Sequence, residues 1–391
     1  MKLYGRAFFM VSFSLVFLTE AILYLVPTVG SITLLVKVPL IIVMGLITIR
    51  YMVFKHFYKH KYILFLAGIF LFSLLQFSFS QFPYESFIKS VKLGFFLLTI
   101  TSFSFMLDRG IIRPKELKQL LIVALTIFIP VGFYMALYPA SEHLGQVGPA
   151  YSLLWAIFFG AVLVDKKDYY LIALIALAVV GVFLIFKRGV LVCIAVSFAT
   201  YLFLYLKQRL TVKRLILFFG APFSLLVPFM YSVFLRGDFI QDRLMDDSGG
   251  GRDLLYLVIF SEWIESSPLE LIFGHGGLAV EVLTGELIGI REGSEFGLQA
   301  HNDWLTLGFE QGLIGLFLFL GFHWTLFRSI TSIRHLRPNL YTKFMAIYVA
   351  LVAVSFFSEI LFTAQYSFLA FLIAVVTWIS NDIKRNTHEY Q

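Results

Sequence analysis

The sequence predicts an all-α polytopic membrane protein. Of its 391 residues, 59% are hydrophobic and only 14% are charged, whereas soluble domains carry about 25% charged residues. The mean hydropathy is +0.87, so the chain cannot hide its apolar side chains in an aqueous core. The solvent around most of this protein must therefore be lipid.

Twelve apolar stretches meet or approach the length needed to cross a bilayer, about 20 residues for a core of about 30 Å. Backbone groups in lipid must be hydrogen-bonded within the segment, so we expect helices. The predicted spans are roughly 8–26, 30–49, 62–80, 91–107, 118–138, 147–164, 169–186, 189–206, 215–234, 304–326, 344–361 and 363–380. We treat the chain, 1–391, as a single membrane domain.

The basic residues predict the orientation of these spans. Alternate loops, counted from the N-terminus, and their flanks hold 22 of the 31 Lys and Arg, and cytoplasmic loops are the ones enriched in basic residues. Both termini are therefore predicted to be cytoplasmic. The net charge of +7 is then an orientation signal, and we predict no nucleic-acid partner.

The N-terminus and the single cysteine add two constraints. Lys2 and Arg6 precede an apolar run that Glu20 closes, and no small-residue cleavage site follows, so we expect an uncleaved first span. Cys193 is the only cysteine, which excludes an intramolecular disulfide and a cysteine-ligated metal site.

One hydrophilic segment, 235–300, is long enough to form a large external loop. It is acidic, with twelve Asp and Glu against four Arg. Glycines at 249–251 predict a flexible turn, and 253–266 predicts an amphipathic helix that lies on the bilayer or packs on the bundle. A second glycine-rich turn covers 274–277. The predicted apolar side of the helix contains Leu254, Leu257 and Val258, with Ile264 close to it.

Two arginines on the predicted external side are candidates for binding an anion. Arg188 follows Lys187 in a turn between two apolar spans, and Arg252 follows three glycines at a predicted helix start. Guanidinium groups suit phosphate oxygens, and helix N-termini favour anions. Two plainer interpretations stay open: Lys187 and Arg188 snorkel at helix ends, and Arg252 pairs with Asp246 or Asp247.

His301 is the candidate general base. It precedes Asn302 and Asp303 at the predicted external end of the tenth span, and a neutral imidazole accepts protons well near neutral pH. A structural histidine is the plainer alternative. Glu310 lies about 13 Å further along that helix, so we expect it to bond another helix rather than His301, and likewise for Glu20.

Motifs for metal or nucleotide chemistry are missing from the sequence. There is no Asp-x-Asp pair, no His-Glu-x-x-His, no Gly-x-Ser-x-Gly and no P-loop. We therefore predict no metal and no cofactor, and the missing nucleotide motif argues against an ATP-driven pump.

The chain resembles the O-antigen ligase and polymerase superfamily over about residues 180–320. The resemblance rests on a His-Asn run at 301–305 followed by Glu-x-Gly-x-x-Gly at 310–315, on Lys-Arg-Gly at 187–189, and on Gly-Arg at 251–252. These three landmarks occur in the family's order, and all lie on the predicted external side. The first half of the chain is similar to the family only in hydropathy and number of spans.

The resemblance implies a metal-independent, inverting, helical-bundle (GT-C-like) glycosyltransferase that uses an undecaprenyl-diphosphate-linked glycan. Arg188 and Arg252 would then hold the diphosphate, and His301 would take the proton of the attacking hydroxyl. We place Lys187, Asn302, Asp303 and His275 at the substrate. His275, in a glycine turn, is a second histidine on the predicted external side. We favour His301 as the base and expect His275 to have a positioning role.

A polymerase of lipid-linked repeat units in the bacterial inner membrane is the favoured function. The acceptor would be a second glycan, or lipid A-core if the chain is a ligase. Further expected partners are the bilayer and a chain-length regulator or another polysaccharide assembly protein. A transporter or lipid-linked glycan flippase is the rival from another class, although the sequence shows no half-repeat.

Overall fold

The computed structural model describes residues 2–25, 39–40, 42–50, 60–137, 147–165, 167–185, 187–208, 252–288, 297, 299–356, 358, 361 and 367–388. Every longer regular element in these residues is a helix, as predicted. We number those with defined bounds along the chain: α1 Lys2–Leu25, α2 Lys61–Gln76, α3 Pro83–Asp108, α4 Pro114–Leu137, α5 Val147–Leu163, α6 Tyr169–Ile185, α7 Arg188–Gln208, α8 Arg252–Glu265, α9 Pro268–Phe273, α10 Ala279–Ile288, α11 Asp303–Thr331, α12 Pro338–Ser355 and α13 Ser367–His388.

The prediction of an all-α polytopic membrane protein is confirmed. Among the described residues, seven helices are long and apolar enough to cross a membrane, and two shorter apolar helices cover Pro149–Leu163 and Tyr169–Ile185. The predicted ninth span, 215–234, and half of the second lie outside the described residues, so the total of twelve stays a prediction. The fourth span is longer than predicted, because α3 begins at Pro83, a residue suited to the first helical position.

The centre of the bundle is built around α3, whose side chains are mostly buried. Aromatic rings join this helix to the two ends of the chain. Phe13 of α1 and Phe103 of α3 each contact Phe371 of α13 at 4.6 Å between ring centroids, and Phe17 stacks on Phe368 at 4.4 Å. Offset and edge contacts of this kind favour close packing, so the first and last helices are held against the same central helix.

Polar contacts group the loops into two ends of the bundle. At the first, the basic end, Arg6 donates to the carbonyl of Ile111 at 2.8 Å and Lys343 donates to that of Ala161 at 2.8 Å. At the second, the loop end, Ser80 donates to the carbonyl of Gly277 at 2.6 Å. The loops predicted to be cytoplasmic therefore share one end. Which side of a membrane that end faces stays a prediction.

The predicted amphipathic helix in the external segment is present as α8, but it buries a different face. Leu255 and Ile259 are buried, whereas Leu257 of the predicted apolar side is 66% exposed and Ile264 is 57% exposed. The buried face packs in a small apolar cluster with Val280 and neighbouring residues. The helix therefore packs on the bundle through one apolar face and leaves a second one exposed.

The predicted tenth span, 304–326, is wrong as a single straight helix. Gly312 has φ 63° and ψ −160° inside α11, and the chain reverses there. Trp304 stacks on His323 with ring centroids 5.5 Å apart, although these positions would be roughly 28 Å apart along one straight helix. Residues 303–331 therefore form a helical hairpin with limbs 303–311 and 313–331, and the second limb alone, roughly 28 Å long, suffices to span a bilayer.

A turn from the hydrophilic segment 235–300 closes the break in this hairpin. The N–H groups of His275 and Gly276 donate to the carbonyls of Phe309 and Glu310 at 3.0 and 3.1 Å. A side chain at Gly274 would collide with the Glu310 carbonyl. The turn at 274–277, which we call the glycine turn, thus supplies donors to carbonyls that the break at Gly312 has released. Unpaired backbone groups in an apolar region cost several kcal/mol each.

A buried charge cluster formed by Lys89, Glu281 and Glu310 fixes the apex of the hairpin. The Lys89 ammonium lies 2.7 Å from Glu310 Oε1 and 3.2 Å from Glu281 Oε1, and all three side chains are buried. The cluster joins α3, α10 and the hairpin. The expectation that Glu310 bonds another helix is therefore confirmed. The predicted order in depth is wrong, because the chain reverses immediately after Glu310: Glu310 lies at the loop end, and His301 lies about 13 Å deeper along the first limb.

Replacing Gly312 by alanine should destabilise the protein by about 3 kcal/mol or more. Alanine is strained at φ 63°, ψ −160°, and its Cβ would collide with the Ile272 carbonyl. Thermal unfolding in detergent measures the effect. The matched control is Gly45→Ala, whose Cβ would meet no atom within 4 Å; equal stability of the two variants would rule out the hairpin.

Replacing Lys89 by methionine should cost about 3–5 kcal/mol, because it leaves two buried carboxylates without their shared ammonium. Glu281→Gln should cost far less, since Lys89 keeps its shorter contact with Glu310. For both variants the unfolding temperature and the amount of protein in the membrane are measured, with Lys61→Met at an exposed site as control. Equal losses for Lys89→Met and Glu281→Gln would contradict the shared-ammonium arrangement.

Candidate active site

His301 lies immediately outside the helix rather than on it. The helix begins at Asp303, with Asn302 as its N-cap, so His301 precedes the first helical turn. His301 has φ 50°, a left-handed conformation that few residues other than glycine adopt, and it is exposed. The chain therefore presents this histidine on a fixed backbone bend directly ahead of a helix.

Asn302 and Asp303 hold that bend in place. The Asn302 side-chain oxygen accepts the backbone N–H groups of Trp304 and Leu305 at 2.9 and 3.2 Å, which is the expected role of an N-cap. Asp303 is fully buried and accepts the N–H of Leu361 at 3.4 Å. Both side chains thus secure the start of the hairpin, and their predicted contact with substrate stays a prediction.

Trp304 anchors the same segment to the end of α12. Its indole N–H donates to Ser355 Oγ at 2.8 Å, and its ring stacks on Phe356 with centroids 5.5 Å apart. The Tyr256 hydroxyl of α8 donates to the Phe356 carbonyl at 3.2 Å. The starts of α8 and of the hairpin therefore meet at the end of α12.

Arg252 is the first residue of α8, as the sequence predicts. The first turns of that helix bring Leu255 and Ile259 into one apolar cluster with Ala300 and Leu305, which flank His301 in sequence. The structure therefore brings the backbone of Arg252 to the neighbourhood of His301. The guanidinium of Arg252 lies outside the described part of the structure.

Arg188 is likewise the first residue of its helix, α7. The carbonyl of Lys187 accepts the N–H groups of Val190 and Leu191 at 3.0 and 3.1 Å, so Lys187 caps that helix through its backbone. Helix α7 packs along α12, the helix whose end contacts Trp304. Arg188 is linked to the His301 region through α12, and its side chain also lies outside the described part.

Three helices thus begin at residues that the sequence marks as functional: α7 at Arg188, α8 at Arg252 and α11 at Asp303. The first N–H groups of a helix have no partner within it and carry a partial positive charge. Such ends bind phosphate groups readily. The starts of α7 and α8 are therefore suited to an anionic substrate, whereas Asn302 already caps the N–H groups at the start of α11.

His275 has a different environment from His301. Its ring stacks on Phe309 with centroids 4.3 Å apart, and its Nε2 lies 2.7 Å from Ser266 Oγ. Burial lowers the pKa of His275, against an opposing effect of Glu270 and Glu262. The His275 imidazole is already hydrogen-bonded in the docked glycine turn. It therefore fits a role in positioning that turn, which is the role that the sequence analysis preferred over the role of general base.

The sequence missed Lys89, Glu281 and His323 as partners of this region. A signal existed for Lys89, because it lies within an apparent helix on the side that basic residues avoid and because Glu310 within a span needed a partner. His323 gave no signal, since it stands alone in an apolar run. Among the described residues no group of three His, Cys, Asp or Glu side chains is placed to hold a metal ion, and metal independence stays a prediction.

Comparison with protein-family models gives a match to part of the chain. Residues 173–320 match the family model described as O-antigen ligase, a range that contains Lys187, Arg188, Arg252, His301 and the apex of the hairpin. No curated protein matches the chain. Members of this family are glycosyltransferase-like membrane enzymes that act on lipid-linked glycans. Over residues 173–320 the chain is therefore similar to the O-antigen ligase family, which supports its resemblance to the O-antigen ligase and polymerase superfamily.

Proposed function

We propose that the protein is a polymerase that joins undecaprenyl-diphosphate-linked repeat units into a surface polysaccharide such as O-antigen or capsule. The observation that carries the proposal is the placement of His301 on a fixed bend beside the start of α8, where Arg252 stands. A base and an anion-binding residue in one neighbourhood are what glycosyl transfer from a diphosphate requires.

In the proposed reaction, His301 accepts the proton of the acceptor hydroxyl as that oxygen attacks the anomeric carbon. The bond from that carbon to the diphosphate oxygen breaks, and the electron pair leaves with the diphosphate. Arg252 and Arg188 bind the diphosphate, whose charge rises as the bond breaks, so they stabilise the transition state more than the ground state. Attack from the opposite face inverts the anomeric configuration.

The reaction is proposed to occur at the start of the hairpin's first limb, about 13 Å from the loop end along that limb, in a site open to the periplasm, in the inner membrane with both termini cytoplasmic. Basic residues in the loops of the opposite end support this orientation. The lipid tail of the donor would lie among the apolar helices. Metal independence belongs to the same proposal, as does a chain-length regulator or another assembly protein as partner.

Ligation of a finished chain to lipid A-core is the second candidate, because the matching family model carries the description O-antigen ligase. The two activities share a donor and differ in the acceptor. A transporter is disfavoured, because the family's members are glycosyltransferase-like enzymes.

Deleting the gene should leave the strain with lipid that is capped by a single repeat unit. This outcome follows because a polymerase makes every chain longer than one repeat. Gel profiles of extracted glycans, with the gene restored on a plasmid as control, give the measurement. Long chains stranded on undecaprenyl diphosphate would instead identify the ligase, and an unchanged profile would remove both activities.

His301→Ala and Arg252→Ala should each fail to restore long chains in that strain, while the protein still inserts at normal levels. One removes the proton acceptor and the other a diphosphate ligand, so turnover should fall by about 100-fold or more. The readouts are chain length and membrane level. Matched controls are His335→Ala and Arg337→Ala, at exposed positions of the basic end.

Arg188→Lys adds a test of geometry, because lysine keeps the charge but loses the planar fork of donors. It should lower turnover if Arg188 binds the diphosphate. A wild-type rate would favour simple snorkelling at the helix end, and full activity of both alanine variants would refute the catalytic assignment.

A further inference from the structure

His323 lies inside a cage of aromatic rings on the second limb of the hairpin. It is 4% exposed. Trp304 stacks on it at 5.5 Å between centroids, and Phe319 and Phe322 contact it edge-on at 4.6 and 5.1 Å. Packing alone would be served equally well by phenylalanine, so the polar ring at this position needs its own explanation.

Neither ring nitrogen of His323 has a hydrogen-bond partner among the described residues. A neutral imidazole always carries one N–H donor and one acceptor nitrogen. Buried polar side chains nearly always find a partner, in the protein or in an ordered water. The ring nitrogens of His323 therefore indicate that a water molecule is their hydrogen-bond partner.

A small cavity next to this ring provides a place for that water. His323 and Asp303 both line it, and its other walls are Phe, Leu and Ile side chains. The space open to the centre of a water molecule is about 10 Å³, close to what one buried water requires. A carboxylate and an imidazole are the two polar partners that such a water needs at minimum.

We propose that this cavity holds one water molecule that links His323 to Asp303, and that the link makes His323 a positioning residue for His301. The inference rests on the proposed function only in its last step, the effect on turnover. Asp303 is the first residue of the hairpin, and Asn302 and His301 come directly before it. A hydrogen bond that fixes the Asp303 carboxylate therefore fixes the bend that carries His301.

The link connects the two limbs of the hairpin through a polar contact that packing does not supply. Trp304 lies against His323 from the first limb, so the stacked ring pair and the water link hold the same two turns together. Displacement of a catalytic group by about 1 Å can cost roughly 100-fold in rate. The loss of this link should therefore lower the reaction rate without unfolding the protein.

Thermal unfolding of the full chain in detergent tests the link without any reaction. His323→Phe keeps a ring in the cage but removes both nitrogens, so it should lower the unfolding temperature. A dry cavity predicts the opposite, because removing an unpartnered buried polar group stabilises a protein. In the Asp303→Asn background, His323→Phe should cause a smaller loss than in the wild type, because the link is already weakened. A raised unfolding temperature, or full additivity, overturns the link.

Turnover tests the positioning role, with the undecaprenyl-linked glycan that accumulates in the deletion strain as the substrate. His323→Phe should lower kcat about tenfold or more with little change in KM, and His323→Gln, which restores a donor and an acceptor, should recover part of it. Tyr348→Phe is the matched control, since it removes the hydroxyl bound to the His323 backbone carbonyl and leaves the ring nitrogens intact. A wild-type kcat in His323→Phe, or no gain from His323→Gln, overturns the positioning role.

The unfolding test and the turnover test distinguish failure of the water link from failure of the proposed function. If the stability coupling is present and His301→Ala is fully active, the water link stands and the catalytic assignment fails. If His301→Ala is inactive and the stability coupling is missing, the catalytic assignment stands and the link is refuted.

Discussion

The reversal of the chain at Gly312 is the constraint on which the architecture of this region depends. A helix broken in an apolar environment exposes carbonyls that water cannot reach, and each must find a donor. The glycine turn supplies those donors from a segment that precedes the hairpin by about two dozen residues. Residues 274–277 of the hydrophilic segment are thus part of the bundle's hydrogen bonding, and this contact holds residues 252–288 against the hairpin.

The buried charge cluster adds a second connection at the same apex. Lys89 joins the central helix α3 to Glu310 beside the break and to Glu281 of α10. A buried ammonium with two carboxylates contributes little net stability by itself, but removing it would leave uncompensated charge. The cluster therefore specifies position: the apex packs against α3 where Lys89 meets it, and the first limb then runs from the loop end into the bundle toward His301.

Local signals predicted much of the fold and little of this apex. Apolar length predicts the spans, and a glycine or a basic turn ahead of an apolar run predicts the helix starts at Arg188 and Arg252. Gly312 gave no such signal, because a lone glycine is common inside a membrane helix. Whether its φ angle is positive or negative depends on the residues that pack against it. The pairing of Lys89 with Glu310 joins residues far apart in sequence. The buried face of α8 was wrong for the same reason, because Ala300 and Phe309 decide it.

The first residues of the three helices at the site divide the proposed chemistry between them. Helices α7 and α8 begin with Arg188 and Arg252, so the partial positive charge of each helix end has a basic residue beside it, which suits the diphosphate. The hairpin begins with Asp303, and its helix end alone would oppose a positive charge on the neighbouring His301. A buried carboxylate at that first position offsets the helix end and favours the imidazolium that forms when His301 takes a proton. On the proposed assignment, the two basic starts bind the leaving group and the acidic start serves the base.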